Sequence, residues 1–490
     1  MNVPASLIAL VENLHRARVL CVGDVILDHF HSGSVDRISP EAPIPVLKLE
    51  NEATMLGGAG NVVRNLAGLG VNVNFTTVIG KDNDGTEIER LIREEGLLDL
   101  PLVDDGDRRT SAKTRYIADG QQILRTDRET VFALNKNMEE KLIAAAVQSM
   151  DDCDAVILSD YAKGVLTDNA ISELINAANA ASKVIIVDPK GVDYSRYRGA
   201  DIITPNRREL FEATGIAAGS DEEVTLAAQS LIETHGFGAV LATRSKDGMT
   251  LLSKDGTLSH LRAEAIDVFD VSGAGDTVVA TLAAALGAGA DLKDAARLAN
   301  LAAGIVVGKV GTAVAFVNDV LAVLHHQDLS NAEAKILALG PALELIDKWR
   351  RSGFSVGFTN GCFDLLHPGH ISLLNQAREA SDKLVVGLNS DTSVKILKGE
   401  ERPVQSESAR ATVLASLSAV NMVIIFSDET PIKLIEKLRP HVLVKGADYV
   451  IENVVGADIV KSYGGQILLA ELSPGHSTTA TIAKLGGHDI

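Results

Sequence analysis

The chain has 490 residues and a formal net charge of −19, because 65 Asp and Glu outnumber 46 Lys and Arg. This charge excludes the basic surface that nucleic acid or an anionic membrane needs, and the length predicts about three domains. Three widely spaced cysteines, an odd number, favour a reducing compartment, so we expect a cytoplasmic protein. The most apolar stretches, 277–290 and 298–307, are shorter than the ~20 residues of a membrane helix, and we expect no membrane partner.

The N-terminal part predicts a strand at 18–24, ending in Gly23-Asp24, and then a small β-sheet. Residues 28–50 alternate in polarity and contain three prolines, which is unlike a core strand. Residues 111–125 also alternate, around Asp119-Gly120, a strong signal for a hairpin turn. We expect these two stretches to form a lid over a site.

From residue 154 onward, predicted strands and helices alternate. The strands are 155–158, 184–187, 202–204 and 239–242, and helices such as 168–181 and 222–235 separate them. This order predicts a doubly wound, mainly parallel sheet whose ligand groups lie at the carboxyl ends of the strands. Polar residues follow several strand ends, namely Ser159-Asp160, Asp188-Pro189, Asn206–Glu209 and Thr243–Ser245.

The stretch Asp270–Thr277 predicts an anion site at a helix N-terminus. Gly273 and Gly275 leave their amides accessible, and an apolar helix follows over 277–286. Asp276 lies at the mouth of that site, where a carboxylate is expected as a base; the alternative is a glycine turn that Asp276 caps. No G-x-x-x-x-G-K-[S/T] and no complete G-x-G-x-x-G/A occurs, so neither a P-loop nor a nicotinamide site is expected.

Four motifs in order resemble the ribokinase-like carbohydrate kinases over about residues 15–320: Gly57–Asn61, Asn206-x-x-Glu209, Thr243–Gly248 and Asp270–Asp276. The resemblance implies that Asp276 is the base for a sugar hydroxyl and that ATP and Mg²⁺ are required, with Asn206 and Glu209 ordering Mg²⁺ indirectly. Helix capping is the alternative for those two residues. The implied nucleotide contacts are Asn206, Arg207, Arg208, Glu209, Thr243, Gly248, Gly273, Ala274 and Gly275. The implied sugar contacts are Asp24, Asp28, Gly57, Gly58 and Asn61. Because the whole chain is strongly negative, a phosphorylated sugar needs a cationic pocket, for which Lys113, Arg115 and Lys163 are the candidates and surface solvation is the alternative.

A polar stretch, 325–331, ends this alternation, and residues 332–351 predict one or two helices interrupted at Gly340-Pro341. We therefore expect a kinase domain over 1–328, a helical linker over 329–352 and a second domain over 353–490.

The second domain begins with a predicted strand, 355–359, followed by Asn360–His370. Pro368 and Gly369 suit a helix start, which places His370 in the first turn and His367 just before it. Two imidazoles at a helix N-terminus predict a phosphate site. A zinc site, which lacks Glu or Cys partners at metal spacing, and a surface His pair are the alternatives.

His367-Pro368-Gly369-His370 resembles the signature of the His-x-Gly-His nucleotidyltransferase superfamily, which implies a Rossmann-like α/β domain. It further implies direct attack of a substrate phosphate on the α-phosphorus of a nucleoside triphosphate, with His367 and His370 stabilising charge. The implied nucleotide contacts are Asn360, Gly361, Phe363, Lys398, Lys445, Ser477, Thr478 and Thr479. The implied substrate contacts are Asp364 and Arg402.

The order of the two halves resembles the family of bacterial proteins that fuse a heptose 7-phosphate kinase to a heptose 1-phosphate adenylyltransferase. Three sequence segments also resemble this family, namely residues 37–45, 159–164 and 206–209. The resemblance implies phosphorylation of the anomeric hydroxyl, then ADP-heptose synthesis for lipopolysaccharide core, with a separate phosphatase between the steps and a homodimer. One alternative is a fused sugar kinase and cytidylyltransferase of other specificity. Another is a degenerate nucleotide-binding regulator, against which Asp276, His367 and His370 all argue.

Overall fold

The computed structural model describes residues 4–96, 102–264, 270–309, 313–447 and 450–471. Contacts divide the chain into two units between Ala322 and Val323, inside the helix Val317–Glu333. The predicted domain limits at 328 and 352 remain a prediction. Within the described residues, no helix is long and apolar enough to cross a membrane.

The first unit is built on a large sheet that is parallel except at one edge. Its described strands, in chain order, are β1 (Arg18–Gly23), β4 (Asn72–Gly80), β5 (Leu102–Asp105), β8 (Ala155–Ser159), β9 (Val184–Asp188), β10 (Ile202–Ile203), β11 (Ala239–Thr243), β12 (Met249–Ser253) and β13 (Leu258–Leu261). Their spatial order is β13-β12-β11-β10-β9-β8-β1-β4-β5, and only β11, β12 and β13 pair antiparallel. The direction of strand succession reverses between β1 and β8, which is where doubly wound sheets bind ligands.

A second, four-stranded sheet forms the predicted lid. It consists of β2 (Val25–Ile38), β3 (Pro45–Gly58), β6 (Ala112–Ala118) and β7 (Gln121–Arg128), in the order β3-β2-β6-β7. The hairpin prediction is confirmed: β6 and β7 pair antiparallel, and Asp119 and Gly120 both have positive φ, as a tight primed turn requires. Only Asp24 separates β2 from β1, so the lid starts at the carboxyl edge of the large sheet.

Helices cover the large sheet because their apolar faces pack against it. The described helices of this unit, with the one that leads out of it, are α1 (Pro4–Asn13), α2 (Ala59–Gly68), α3 (Asn83–Glu94), α4 (Lys136–Met150), α5 (Asp168–Ala180), α6 (Arg207–Thr214), α7 (Asp221–His235), α8 (Ala274–Gly287), α9 (Leu292–Val307) and α10 (Val317–Glu333). Helix α8 is almost wholly buried from Asp276 to Ala285, because its residues are nearly all small or apolar. The predicted glycine turn does begin this helix.

The second unit has a five-stranded sheet in which every pair is parallel. Its strands β14 (Val356–Gly361), β15 (Lys383–Asn389), β16 (Met422–Phe426), β17 (Val442–Gly446) and β18 (Gln466–Ala470) lie in the order β16-β15-β14-β17-β18. The described helices are α11 (Leu339–Arg351), α12 (Pro368–Glu379), α13 (Asp391–Lys398), α14 (Glu407–Ser416), α15 (Ile432–Leu438) and α16 (Ala457–Ser462). This is a Rossmann-type order, so the expected fold class is confirmed in both units.

The predicted helix break at Gly340-Pro341 is wrong. Both residues lie in the first turn of α11, and the irregular segment precedes them at 334–338. A proline in the first turn costs no helical hydrogen bond, because the first amides have no partner inside the helix. Ala342 and Ile346 of this helix then join Val356 and Phe358 in one buried cluster.

Candidate active sites

The first candidate site lies at the carboxyl ends of β8, β9, β10 and β11. A cleft of about 200 Å³ opens there, beside the start of α8. Its lining includes five residues that the sequence predicted as nucleotide contacts, together with the predicted base. These are Asn206, Glu209, Thr243, Gly273, Gly275 and Asp276. The structure therefore brings these six residues together from three separate segments of the sequence.

Asp276 is buried, and both of its carboxylate oxygens accept hydrogen bonds. Asn61 Nδ2 donates to Oδ2 at 2.7 Å, and the Tyr161 hydroxyl donates to Oδ1 at 2.5 Å. Burial raises the pKa of Asp276 to about 6, although these two hydrogen bonds act in the opposite direction. A carboxylate with this pKa is ionised at neutral pH and still basic enough to take a proton.

The start of α8 is capped by backbone alone, so the cap alternative for Asp276 is wrong. Gly273 is the N-cap residue, with φ of +80°, and no side chain bonds the first amides. Ala274 N–H donates to Val271 O at 3.3 Å. The amides of this first turn, including that of Gly275, lack partners inside the helix and suit an anion.

Asn206 and Glu209 form a capping box at the start of α6. Asn206 Oδ1 accepts from the Glu209 amide, and Glu209 Oε2 accepts from the Asn206 amide, both at 3.0 Å. The capping alternative is thus present in the structure. The second oxygen of Glu209 accepts from Lys190 Nζ at 2.9 Å, and both residues line the cleft, so Glu209 caps the helix and also borders the site.

Gly248, Arg207 and Arg208, also predicted as nucleotide contacts, are not among the residues that line the cleft. Gly248 has φ of +82°, and a Cβ there would come within 1.9 Å of Leu261 O, so only glycine fits the turn. Arg207 pairs with Asp247 at 2.5 Å. Arg208 is mostly exposed and pairs with a glutamate on its own helix. Among the residues that line the cleft, neither arginine is found.

On the sugar side, the lid brings Lys113 close enough to Asp276 to act on its charge. Asp28 of β2 lies opposite Lys113 of β6 in the strand register, and Arg115 Nη1 donates to Asp28 Oδ1 at 2.6 Å. Burial lowers the pKa of Lys113, while Asp28 opposes that effect. Gly57 allows this arrangement, because a Cβ there would lie 2.2 Å from Asp28 Oδ2.

Asp24 and Lys163, also predicted to bind the sugar, have structural contacts in the loop that follows β8. The carboxylate of Asp24 accepts from the amides of Tyr161, Lys163 and Val165 at 2.9–3.1 Å. Lys163 Nζ pairs with Glu129 at 2.6 Å. Gly58, with φ of +58°, is the last residue of β3 and the N-cap residue of α2, the helix that contains Asn61. A sugar contact for Asp24, Gly58 and Lys163 remains a prediction.

Sequence reasoning assigned no role to six residues of this cleft, which include Tyr161, Asp188 and Lys190. The position of Asp188 at a strand end was the available signal. Burial, together with the nearby charges of Asp276 and Glu209, raises the pKa of Asp188 well above its ordinary value. Burial and Asp276 likewise raise the pKa of Tyr161, so its hydroxyl remains a donor.

The second candidate site lies at the carboxyl end of β14. His367 is the N-cap residue of α12 and His370 is in its first turn, as predicted. Their rings stack with centroids 3.8 Å apart, and Phe363 lies 5.2 Å from the His370 ring. Burial, His367 and Lys398 together lower the pKa of His370 to about 4, so this imidazole is neutral at pH 7, with one ring nitrogen a donor and the other an acceptor.

Residues at the ends of β14 and β17 converge on the same edge. Lys445 Nζ donates to Asn360 O at 3.1 Å, and Gly361 ends β14 beside it. Lys398, exposed at the end of α13, is close enough to act on the charge of His370. These residues are the predicted nucleotide contacts of this half. Ser477, Thr478 and Thr479 lie outside the described residues.

Asp364 and Arg402, the predicted substrate contacts, form an ion pair. Asp364 is buried and also accepts from the amides of Val404, at 2.7 Å, and Gln405, at 3.3 Å, which fixes the loop after α13. Sequence reasoning missed Arg410, a fully buried arginine that donates to Cys362 O, Asn389 O and Asp391 Oδ1. No spacing signal marks such a residue, because these partners come from two other segments of the chain.

For metals, the described residues contain no group of three or more His, Cys, Asp or Glu side chains that is arranged to hold an ion. The predicted Mg²⁺ contact through Asn206 and Glu209 was indirect and needs no such cage.

Family models match both halves of the chain. The model described as pfkB family carbohydrate kinase matches residues 16–318, and the model described as cytidylyltransferase-like matches residues 358–479. The two sites thus belong to a carbohydrate kinase joined to a nucleotidyltransferase.

Relatives that carry both halves are similar along nearly the whole chain. The bifunctional protein HldE of Paramagnetospirillum magneticum is 57% identical over 484 residues, which cover 99% of each chain. The bifunctional protein HldE of Rhodospirillum rubrum is 54% identical over 99% of this chain and 98% of its own. The chain belongs to the bifunctional HldE family. The expected function, a heptose-phosphate kinase and adenylyltransferase that uses ATP, is confirmed by these matches.

Solved structures resemble the first unit in fold. Ribokinase of Arabidopsis thaliana, complexed with ribose and ATP, has a TM-score of 0.52 and 20% identity, over 63% of this chain and 98% of its own. Phosphofructokinase-2 of Escherichia coli, in complex with potassium, has a TM-score of 0.53 and 20% identity, over 63% and 99%. These likenesses confirm the ribokinase-like fold.

Proposed function

We propose that the first site phosphorylates heptose 7-phosphate at its anomeric hydroxyl with Asp276 as the base. The observation that carries this proposal is a buried carboxylate, with a pKa raised to about 6, next to the free amides that start α8. The hydroxyl gives its proton to Asp276, its oxygen bonds the γ-phosphorus, and ADP leaves. An anomeric hydroxyl is more acidic than an ordinary alcohol, so a carboxylate is a sufficient base.

Mg²⁺ is proposed as the metal of this site. Carboxylate and amide oxygens are the hard donors that Mg²⁺ prefers, and it is commonly held by one or two carboxylates plus substrate phosphates. Glu209 and Asp188 supply carboxylates to the cleft, and burial with the nearby charges of Asp276 and Glu209 raises the pKa of Asp188. A divalent cation would offset the negative charge of these groups. When bound, the ion would neutralise charge on the ATP phosphates. Asn206 and Glu209 would hold it indirectly, through water.

The 7-phosphate is assigned to the basic side of the lid. Lys113 and Arg115 point to the same side of β6 because they are two residues apart, and both lie near Asp28. Since the whole chain is strongly negative, a phosphorylated sugar needs this local positive charge. Lys163 is the third candidate, and its ion pair with Glu129 would have to open.

The second site is proposed to transfer AMP from ATP to heptose 1-phosphate. A phosphate oxygen of the sugar attacks the α-phosphorus and pyrophosphate leaves, so no covalent enzyme intermediate is needed. His370, neutral at pH 7, would donate a hydrogen bond to the charge that develops, and His367 and Lys398 lie beside it. Lys445 and Asn360 would fix the nucleotide at the end of the sheet.

A product assay tests this assignment. Purified protein with heptose 7-phosphate and ATP should yield the 1,7-bisphosphate. With heptose 1-phosphate and a mixture of nucleoside triphosphates, mass spectrometry should show ADP-heptose as the main product. A cytidylyl product, or ATP binding without turnover at either site, would contradict the proposal. ADP-heptose made in this way would serve lipopolysaccharide core assembly in the cytoplasm.

A homodimer is also proposed, with the lid as its contact. Apolar side chains on the lid sheet and its turns are exposed, including Ile38, Ile44 and Leu124 at 54–60%. A second copy of the chain would cover such a surface from water. Sedimentation of the purified protein as a monomer at micromolar concentration would contradict this proposal.

A further inference from the structure

A groove of about 330 Å³ lies on the second unit, at the edge of the sheet opposite His367 and His370. Its described lining is Arg350, Arg439, His441, Tyr463, Gly464 and Gly465. His441 immediately precedes β17, and its backbone bonds Val356 at the start of β14 and Gln466 at the start of β18. Because these strands are parallel, the groove faces their amino ends, whereas the nucleotidyltransferase site faces their carboxyl ends.

His441 offers a fixed hydrogen-bond donor to this groove. Its Nδ1 accepts from the Val356 amide at 2.9 Å, so the neutral ring carries its proton on Nε2. No hydrogen bond from Nε2 to any other described residue is present, and the residue is exposed. The imidazole is thus oriented by the sheet and has a donor directed to an external acceptor.

Arg439 offers a positive charge that no described carboxylate neutralises within 4.0 Å. Its guanidinium lies over the Tyr463 ring, 4.8 Å from the centroid, and the Tyr463 hydroxyl donates to Pro440 O at 3.2 Å. The backbone of Arg439 is left-handed, with φ of +44°, at the end of α15. Glycine is the usual residue in that position of a helix. The end of α15 therefore gives no structural reason for an arginine side chain there.

Arg350 is held at the same helix end by structural contacts. It donates to the carbonyl oxygens of Leu438 and Arg439, and its other terminal nitrogen lies 3.3 Å from Asp347. Asp347 is the acidic residue in these contacts, and it offsets the positive charge of Arg350. The positive charge of Arg439 is therefore not offset by a described carboxylate, although the net charge of the chain is −19.

We propose that this groove binds the phosphate group of a small phosphorylated ligand. His441 Nε2–H and the Arg439 guanidinium are the donors, and the planar guanidinium suits two oxygens of one phosphate. A concave space of this volume fits a sugar phosphate, a nucleotide or pyrophosphate better than a folded partner. The site is separate from the adenylyl-transfer chemistry, which lies at the other end of β14.

The test uses the full-length protein labelled with ¹⁵N in its histidine rings. The His441 signal is identified by its absence from His441→Asn, which keeps an acceptor for the Val356 amide. Inorganic phosphate, pyrophosphate, AMP and a sugar 1-phosphate are titrated separately, so that the arms distinguish the source of the phosphate. We expect a saturable shift of the His441 Nε2 signal with at least one of them. Phosphate at the nucleotidyltransferase site registers on the signals of His367 and His370 instead.

Arg439→Gly is the decisive variant, because glycine suits the left-handed backbone and the fold should keep or raise its Tm. It should weaken the binding at least tenfold. Lys437→Ala is the matched control: it removes one exposed positive charge from the same helix, outside the lining. It should change the affinity less than twofold.

Three results would overturn the proposal. One is no saturable shift of His441 with millimolar concentrations of any of the four compounds. Another is equal weakening by Arg439→Gly and Lys437→Ala, which would mean a general field effect. The third is a saturable shift with an acidic peptide and none with the phosphate compounds, which would assign the groove to a protein partner.

Discussion

At Asp276, both carboxylate oxygens already accept hydrogen bonds, from Asn61 and from Tyr161. A sugar hydroxyl that gives its proton to this carboxylate must replace one of these donors or share its oxygen. The base is therefore held in place and partly shielded before the substrate binds. This arrangement explains why the group is buried yet ionised near neutral pH.

The first prediction at the residue scale concerns the base itself. Asp276→Asn keeps the shape of the side chain and removes its ability to take a proton. Kinase turnover should fall by ~10²–10⁴, the range typical of a lost general base. Adenylyl transfer from supplied heptose 1-phosphate should persist in the same preparation and serves as the control for folding. Kinase activity within a few-fold of the parent would rule out Asp276 as the base.

The second concerns Tyr161. Its hydrogen bond favours the ionised form of Asp276, so Tyr161→Phe should raise the pKa of Asp276 above about 6. The base must be deprotonated to act, so the acid limb of the kinase kcat/KM profile should move to higher pH. A purely structural defect would lower activity at every pH and leave that limb in place. Tyr116→Phe, on the lid, is a control that removes a hydroxyl which makes no hydrogen bond to Asp276.

At the scale of elements, the lid strand β6 carries the proposed 7-phosphate contact. Lys113→Met keeps the aliphatic stem and removes the charge, so KM for heptose 7-phosphate should rise ~10–100-fold, as expected for a lost charge-assisted hydrogen bond. KM for ATP should change little. Lys48→Met, the same change at an exposed position of β3, should leave both values unaltered. An equal rise in both KM values after Lys113→Met would indicate damage to the lid instead.

Elements with a local cause could be predicted from the sequence. The lid hairpin follows from Asp119-Gly120, and the start of α8 follows from Gly273 and the small, apolar residues after it. Gly340-Pro341 misled the prediction because a proline marks a helix start as readily as an interruption.

Contacts between distant segments could not be predicted. Tyr161 and Asp276 are 115 residues apart, and Asn61 and Asp276 are 215 apart, so no local pattern links them. From the sequence, helix capping by Asn206 and Glu209 was an alternative to a role in ordering Mg²⁺. In the structure, Glu209 caps α6 and also lines the cleft.

At the scale of the whole molecule, the two sites are expected to work without direct relay. The kinase product carries phosphates on carbons 1 and 7, and adenylyl transfer in this family takes the 1-phosphate. Every strong motif of the chain serves one of the two transfers, so we propose that a separate phosphatase acts between them.

Purified protein given heptose 7-phosphate and excess ATP should therefore accumulate the bisphosphate. Adding a phosphatase specific for carbon 7 should then release ADP-heptose. The control is heptose 1-phosphate, which should give ADP-heptose at once. ADP-heptose from heptose 7-phosphate with the purified chain alone would disprove the separate step, and would mean that the second site accepts the bisphosphate or that a hydrolytic site exists.

The loop anchored by Asp24 has a consequence for synthesis on the ribosome. Asp24 directly follows β1, yet the amides that it binds belong to the loop after β8, so this loop is fixed only when β8 pairs with β1. When the ribosome has made the chain as far as this loop, the lid and Asn61 are present, but Asp276, the proposed base, has not yet been made. The kinase thus cannot become competent before α8 is made, and a truncated chain released before that point cannot transfer phosphate.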